Sequence, residues 1–154
     1  MTNLPKHKYE FNEIYRDQYF TLHFNKELAL AICTADSEYV PINEFKKVFL
    51  YISEFTKESI INHFIFDKRN LRTFHQPSME WYYAIWKPKI KKHGLVAHYK
   101  ILPKLEWFTK AVEAGKHEIF QKYGTDLLIG ISVNYINSTD ELILQLDKEK
   151  NTSP

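Results

Sequence analysis

Cysteine and glycine are both scarce in this 154-residue sequence. Cys33 is the only cysteine, so the chain can form no internal disulfide, which favours a reducing, cytoplasmic compartment. The four glycines are too widely spaced for a G-x-G-x-x-G loop or a P-loop, which need clustered glycines to bring backbone close to phosphate. Nucleotide-cofactor enzymes of those kinds are therefore excluded.

The net charge is also small, and the apolar runs are short. The balance of 21 Lys+Arg against 19 Asp+Glu leaves a formal charge of +2, which gives no support to a nucleic-acid partner. The lysines from Lys87 to Lys92 beside Trp86 resemble a nucleic-acid patch, but they also suit the end of a helix, where the dipole favours positive charge. The longest apolar run, Leu28 to Cys33, is far shorter than the roughly 20 residues that cross a bilayer. We expect no nucleic-acid partner and no membrane span.

Clusters of catalytic or metal-binding residues are absent from the sequence as well. Seven histidines are scattered without H-E-x-x-H or similar spacing, and no second cysteine accompanies them. No spacing argument brings two carboxylates together in one pocket. We therefore predict no catalytic residue, no metal and no cofactor, and a protein that is not an enzyme.

The first half of the chain predicts a hairpin, a helix and a buried strand. Tyr19 to Phe24 and Leu28 to Thr34 are rich in β-formers and flank a short polar break, which indicates a β-hairpin. Apolar residues recur at helical spacing after Pro41. Ile60 to Phe66 is almost continuously apolar, as expected for an interior strand that is covered on both faces.

The second half predicts two strands that alternate with three helices. Pro88 should kink or end the first helix, which follows Pro77, and Gly94 should cap it. Gly115 is expected to interrupt the next helix, and the last strand alternates apolar and polar residues, as at a sheet edge. The predicted segments are the strands Leu95 to Ile101 and Leu128 to Tyr135, the helix Leu105 to Tyr123, and a last helix after the capping box of Ser138 and Glu141.

Together these elements predict an α/β fold in the order ββαβαβαβα. We expect a single mixed, mostly parallel sheet of four to five strands with an N-terminal β-hairpin and about four helices. Residues 1–18 are assigned to an N-terminal extension, 19–147 to one domain and 148–154 to a disordered tail.

One segment carries a family resemblance. The strand end Phe64-Ile65-Phe66-Asp67-Lys68-Arg69 is followed by a helix that bears Trp81, Trp86 and Pro88, and then by Gly94 and the strand Leu95 to Ile101. This pattern resembles the small STAS-like (SpoIIAA-like) α/β proteins common in Bacteroidetes. The resemblance implies a sheet of four or five strands and a regulatory role, since the best-known members of that superfamily are anti-sigma-factor antagonists.

The resemblance also implies a phosphorylation switch, which this sequence does not match. The antagonists are phosphorylated on a serine or threonine in an Asp-Ser-[Ser/Thr]-Gly turn. The corresponding turn here reads Asp67-Lys68-Arg69-Asn70, in which only the aspartate agrees. We expect the module to lack this switch.

The loop after the predicted central strand is the first candidate site, because ligands of open α/β sheets gather at the carboxyl ends of strands. Its polar side chains are candidates for holding a partner or a ligand. Asp67 and Arg69 could equally brace the loop by pairing with each other or with backbone. The candidates are Asp67, Arg69, Arg72, Thr73, His75 and Ser78.

The second candidate is a group of neighbouring rings, Trp81, Tyr82, Tyr83 and Trp86. Aromatic residues make up 16% of the chain, and such rings need a core, a pocket or an interface to cover them. Neighbouring positions on an α-helix point in several directions, so some of these rings should lie outside the core. We predict that this surface contributes to a homodimer.

Two functions follow from these candidates. The first is a non-enzymatic cytoplasmic regulatory or protein-interaction module. The alternative is a carrier or sensor of a small apolar ligand. A cavity of a few hundred Å³ would favour the ligand, and a filled core with an exposed apolar patch would favour the protein partner.

Overall fold

Six strands form one mixed sheet in the computed structural model, which describes residues 8–152. Neighbouring strands pair antiparallel from the first to the third and parallel from the third to the sixth. The predicted α/β class with a single mixed sheet is confirmed, with six strands instead of four or five. In chain order, which is also their order in the sheet, the strands are β1 (Asn12–Arg16), β2 (Phe20–Asn25), β3 (Leu30–Ala35), β4 (His63–Asp67), β5 (Ala97–Ile101) and β6 (Ser132–Tyr135).

The additional strand and part of the last helix come from the segments assigned to the two ends. β1 falls within residues 1–18, where its charged, half-exposed residues carry little apolar periodicity, and it pairs with β2. The last helix continues to Thr152, into the predicted tail. Residues 1–7 of the extension and 153–154 of the tail lie outside the described residues.

The helices cover both faces of the sheet. Each parallel crossover moves one strand further in the same direction, so the helices between β3 and β6 lie on one face, and the last helix lies on the other. In chain order these elements are α1 (Ile42–Phe55), α2 (Gln76–Trp81), a π-helical turn (Tyr82–Trp86), α3 (Lys87–Lys91), α4 (Glu106–Tyr123), a 3₁₀ turn (Thr125–Leu128) and α5 (Thr139–Thr152).

The predicted central strand is confirmed as β4, between β3 and β5. Phe64 and Phe66 face α1 to α4, whereas Ile65 faces α5, and all three side chains are buried. The strand begins at His63 because its ladder with β3 begins there. Ile60, which was predicted to belong to it, is 73% exposed.

The π-helical turn accounts for the placement of the aromatic group. It lies just before Pro88, whose ring and missing N–H disfavour a regular helix. The wider turn lets Tyr82, Tyr83 and Trp86 all enter the core, each about 1% exposed. The expectation was that not all four rings could lie in the core, and three of them do. Trp81 alone remains partly exposed.

The expected interruption at Gly115 is also wrong, because α4 runs through it without a break. The glycine serves a close approach instead. A Cβ atom there would lie 2.5 Å from Oε1 of Gln76 and 2.8 Å from the ring of Phe74. The helix ends before Gly124, whose φ of +93° suits glycine, as predicted.

Candidate functional site

The first residues of the loop after β4 brace one another. Arg69 donates from Nη2 to Oδ2 of Asp67 at 2.7 Å and from Nε to Oδ1 at 3.0 Å. Arg72 donates from Nη1 to the backbone oxygens of Arg69 and Leu71. Asp67, Arg69 and Arg72 thus hold the loop in place, which is the bracing role that the sequence left open.

The later residues of the loop have a different environment. His75 caps α2, since its Nδ1 accepts from the backbone N–H of Ser78 at 3.3 Å and lies 2.8 Å from Oγ of the same residue. His75, Ser78 and Thr73 line one cleft. Of the six candidates, the structure brings these three together around a cavity.

This cleft lies between the sheet and the helices, at the carboxyl ends of β3 and β4. It encloses about 60 Å³, and the exposed side chains of Tyr39 and Thr73 place its mouth at the surface. Such an edge is where open α/β sheets bind ligands. Apart from Lys68, Tyr39 and the three loop residues, the lining is Phe20, Val40, Phe45, Phe66, Leu71, Phe74, Met79, Tyr82 and Phe108.

Lys68 is the one lysine in this lining, and it is only 7% exposed. Its backbone N–H donates to the oxygen of Ile101 at 2.8 Å, which fixes the residue at the end of the sheet. Its Nζ lies 4.9 Å from the centre of the Phe66 ring and 5.8 Å from that of Tyr82. Lys68 therefore lines the cleft, and its amine lies near two aromatic rings.

Two further lysines are completely buried beside the same aromatic group. Lys100 projects from β5 and donates from Nζ to Oη of Tyr83. Nζ of Lys87, at the start of α3, lies 4.7 Å from the centre of the Tyr82 ring. We call Lys68, Lys87 and Lys100 the lysine cluster.

The lysine cluster has no acidic partner among residues 8–152, where none of the salt bridges includes its members. Burial, together with the positive charge of nearby Lys116, lowers the pKa of Lys68 to about 7. Burial also holds the pKa values of Lys87 and Lys100 well below their ordinary value. Neutral amines are thus favoured within the core.

Several buried polar atoms around the cluster are unsatisfied. Within residues 8–152, Tyr82 Oη, Lys87 Nζ and both ring nitrogens of His98 have no hydrogen bond of normal geometry, although His98 lies close enough to the Leu95 backbone to interact with it. Native proteins satisfy most buried polar groups, so an unsatisfied concentration of this kind is unusual. These unsatisfied atoms lower the free energy of unfolding, so the polar side chains around the lysine cluster are kept at a cost in stability.

The lysine cluster was not predicted from the sequence, because a lysine ordinarily lies on the surface. The sequence signal that could have shown their burial is the position of these lysines relative to the strands. Lys68 directly follows the central strand, and Lys100 occupies the same face of the sheet as Phe66, its partner in the ladder. A lysine at an inward position of a strand covered by helices must be buried.

The remaining groups point to no other chemistry. Cys33 is buried, and burial raises the pKa of its thiol well above the ordinary value. Within residues 8–152, no three His, Cys, Asp or Glu side chains are placed to hold a metal ion. No helix in that range combines the length and apolarity needed to span a membrane. Comparison with protein-family models, curated proteins and solved structures gave no match for this chain.

Proposed function

We propose that the protein is a non-enzymatic, cytoplasmic carrier or sensor of a small ligand with a short apolar body and one anionic group. The observation that supports this is Lys68, a buried lysine that forms no salt bridge within residues 8–152 and lines a mostly apolar cleft. A carboxylate would supply the missing counter-charge, and the rings would cover the apolar part of the ligand. The STAS-like resemblance favours sensing in a regulatory context over storage.

The size of the cleft restricts the ligand. Its volume of about 60 Å³ is well below the few hundred Å³ that the sequence led us to expect for a small apolar ligand, so the ligand must be smaller than that expectation. At roughly 10–15 Å³ for each water-sized sphere, it has room for about four to six non-hydrogen atoms. A short-chain carboxylate such as butyrate fits this range.

Calorimetric titration with butyrate and with its neutral isostere butyramide tests the proposal. We expect butyrate to bind more tightly at about pH 6, where Lys68 is protonated. A charge-assisted hydrogen bond contributes about 1.5–3 kcal/mol, so Lys68→Met should weaken butyrate binding on the order of ten- to one hundred-fold. Lys92→Met, at an exposed lysine outside the cleft, is the matched control.

Equal binding of butyrate and butyramide would overturn the anionic part of the proposal. Retention of butyrate binding in a folded Lys68→Met variant would overturn the assignment of the site. Near-ultraviolet circular dichroism separates loss of binding from loss of the fold, since the aromatic core reports on native packing.

A second candidate is the protein-interaction module, which is favoured by an exposed apolar groove. The groove is lined by Ile42, Pro77, Trp81, Ile85 and Tyr123 together with the charged residues Lys46 and Glu80, and Ile85 is 53% exposed. A second copy of the chain is the partner to test, because two-fold homodimers are the commonest soluble assemblies. Light scattering of the wild type and of Ile85→Glu tests it. A dimer that Ile85→Glu dissociates supports this candidate, and a monomeric wild type contradicts it.

A further inference from the structure

We propose that Lys68 captures small aldehydes in the cleft as reversible imines. This inference rests on the proposed ligand cleft and adds a covalent step at the same residue. The geometry that supports it is a lysine that lines the cavity, whose amine lies near two aromatic rings and forms no salt bridge within residues 8–152.

The surroundings of the Lys68 amine also favour its neutral, nucleophilic form. Burial lowers the pKa of Lys68, and the charge of nearby Lys116 lowers it further, because two like charges in a poorly solvated place disfavour each other. At neutral pH about half of the Lys68 amines are therefore neutral, whereas an ordinary exposed lysine is neutral in only about one molecule in several thousand. A desolvated amine beside another cation is a known way to activate lysine as a nucleophile.

The reaction needs no group outside the cleft. The neutral Nζ attacks the aldehyde carbon, a C–N bond forms and the C=O π electrons move to oxygen, which takes one proton from the nitrogen to give a carbinolamine. Loss of the hydroxyl group as water, together with the second amine proton, leaves the C=N bond of the imine. Addition of water reverses both steps, so no oxidant or reductant is consumed.

The aldehyde class follows from the lining and the volume. The apolar rings favour an unbranched alkyl chain over a sugar or a phosphate, and about 60 Å³ accommodates about four to six non-hydrogen atoms. Lys87 and Lys100 also have depressed pKa values, but both are completely buried and neither lines the cleft. Lys68 is thus the accessible member of the lysine cluster.

Butanal with sodium cyanoborohydride tests the inference, because the reductant converts the imine into a stable secondary amine. The full-length protein is exposed briefly at about pH 7, digested, and the butylated lysines are located by mass spectrometry. We expect Lys68 to be modified at least tenfold faster than exposed Lys92. Saturating butyrate should slow modification at Lys68 and leave Lys92 unchanged.

Two variants complete the experiment. Lys68→Arg keeps a cation but cannot form the imine, so the fast modification should disappear. Lys92→Arg should leave it intact. Modification of Lys68 no faster than that of Lys92 in the folded wild type would overturn the inference, as would fast modification that persists at another residue in Lys68→Arg.

The outcome is separable from that of the proposed function. Butyrate binding with slow modification would leave the ligand site standing and remove the imine. Fast modification of Lys68 without butyrate binding would support the nucleophile and remove the carboxylate preference.

Discussion

Lys100 donates a hydrogen bond from its buried Nζ to the equally buried Oη of Tyr83, which joins β5 to the π-helical turn. Tyr83→Phe leaves the Lys100 amine without this acceptor, so we expect a loss of about 1–3 kcal/mol in the free energy of unfolding. Urea denaturation at constant pH measures it.

Lys100→Met gives the matching test. An apolar side chain of similar length removes the need for an acceptor, so this variant should be as stable as the wild type or more stable. In the Lys100→Met background, Tyr83→Phe should cost less than it does in the wild type, by about 0.5–3 kcal/mol of coupling. Additive effects of the two substitutions would contradict the pairing.

The stability of the protein should rise with pH between about 7 and 10. The pKa of Lys68 is lowered from 10.5 to about 7 in the folded state, so the unfolded chain binds more protons in this interval. Such a difference raises the free energy of unfolding by up to about 1.4 kcal/mol per pH unit for each group. Denaturation at a series of pH values should show this rise, and Lys68→Met should flatten it more than Lys92→Met does.

His98 should make the protein sensitive to acid. Burial and the nearby Lys87 lower the pKa of its imidazole from 6.5 to about 2, so between these values the unfolded chain takes up a proton that the folded chain does not. Stability therefore falls as the pH drops below 6.5. His98→Leu should reduce the fall, as measured by denaturation between about pH 6 and pH 4. An unchanged pH dependence in this variant would count against a buried, neutral His98.

Gly115→Ala should disturb both the fold and the cleft. Alanine favours a helix by about 1 kcal/mol over glycine, but its Cβ would press on Phe74 and Met79, two residues that line the cleft. Overpacking costs about 1–3 kcal/mol, so we expect a net loss of stability and weaker butyrate binding. Thermal denaturation and calorimetry measure the two effects. A gain in stability, as at an ordinary helix glycine, would show that α2 can move away.

The order of the strands and helices could mostly be predicted from the periodicity of apolar residues. The elements that were not predicted have local causes. The continuous apolar run predicted the interior strand β4. The alternation of apolar and polar residues before Tyr135 predicted β6 at an edge of the sheet, and the structure has it there. β1 was not predicted because residues 12–16 are exposed or half-exposed and gain their order from pairing with β2. Such pairing depends on the neighbouring strand and is only weakly predicted by the local sequence.

The candidate site was predictable in place but not in composition. The carboxyl end of β4 was expected to carry function, and Thr73, His75 and Ser78 do line a cleft there. The role of Lys68 was not foreseen, since its burial depends on helices that arrive from other parts of the chain. The burial of both Tyr82 and Tyr83 could not be predicted either, because it requires a π-helical turn that ordinary helical spacing does not describe.

Direct titration of the Lys68 side chain is the measurement that bears most closely on the ligand site. Nuclear magnetic resonance of the protein labelled with ¹³C-lysine should show one resonance, absent from Lys68→Met, that titrates near pH 7. Saturating butyrate should move this midpoint upward, because a bound carboxylate stabilises the ammonium form. A Lys68 midpoint near the ordinary value of 10.5, unchanged by butyrate, would contradict the assignment of Lys68 to a ligand site.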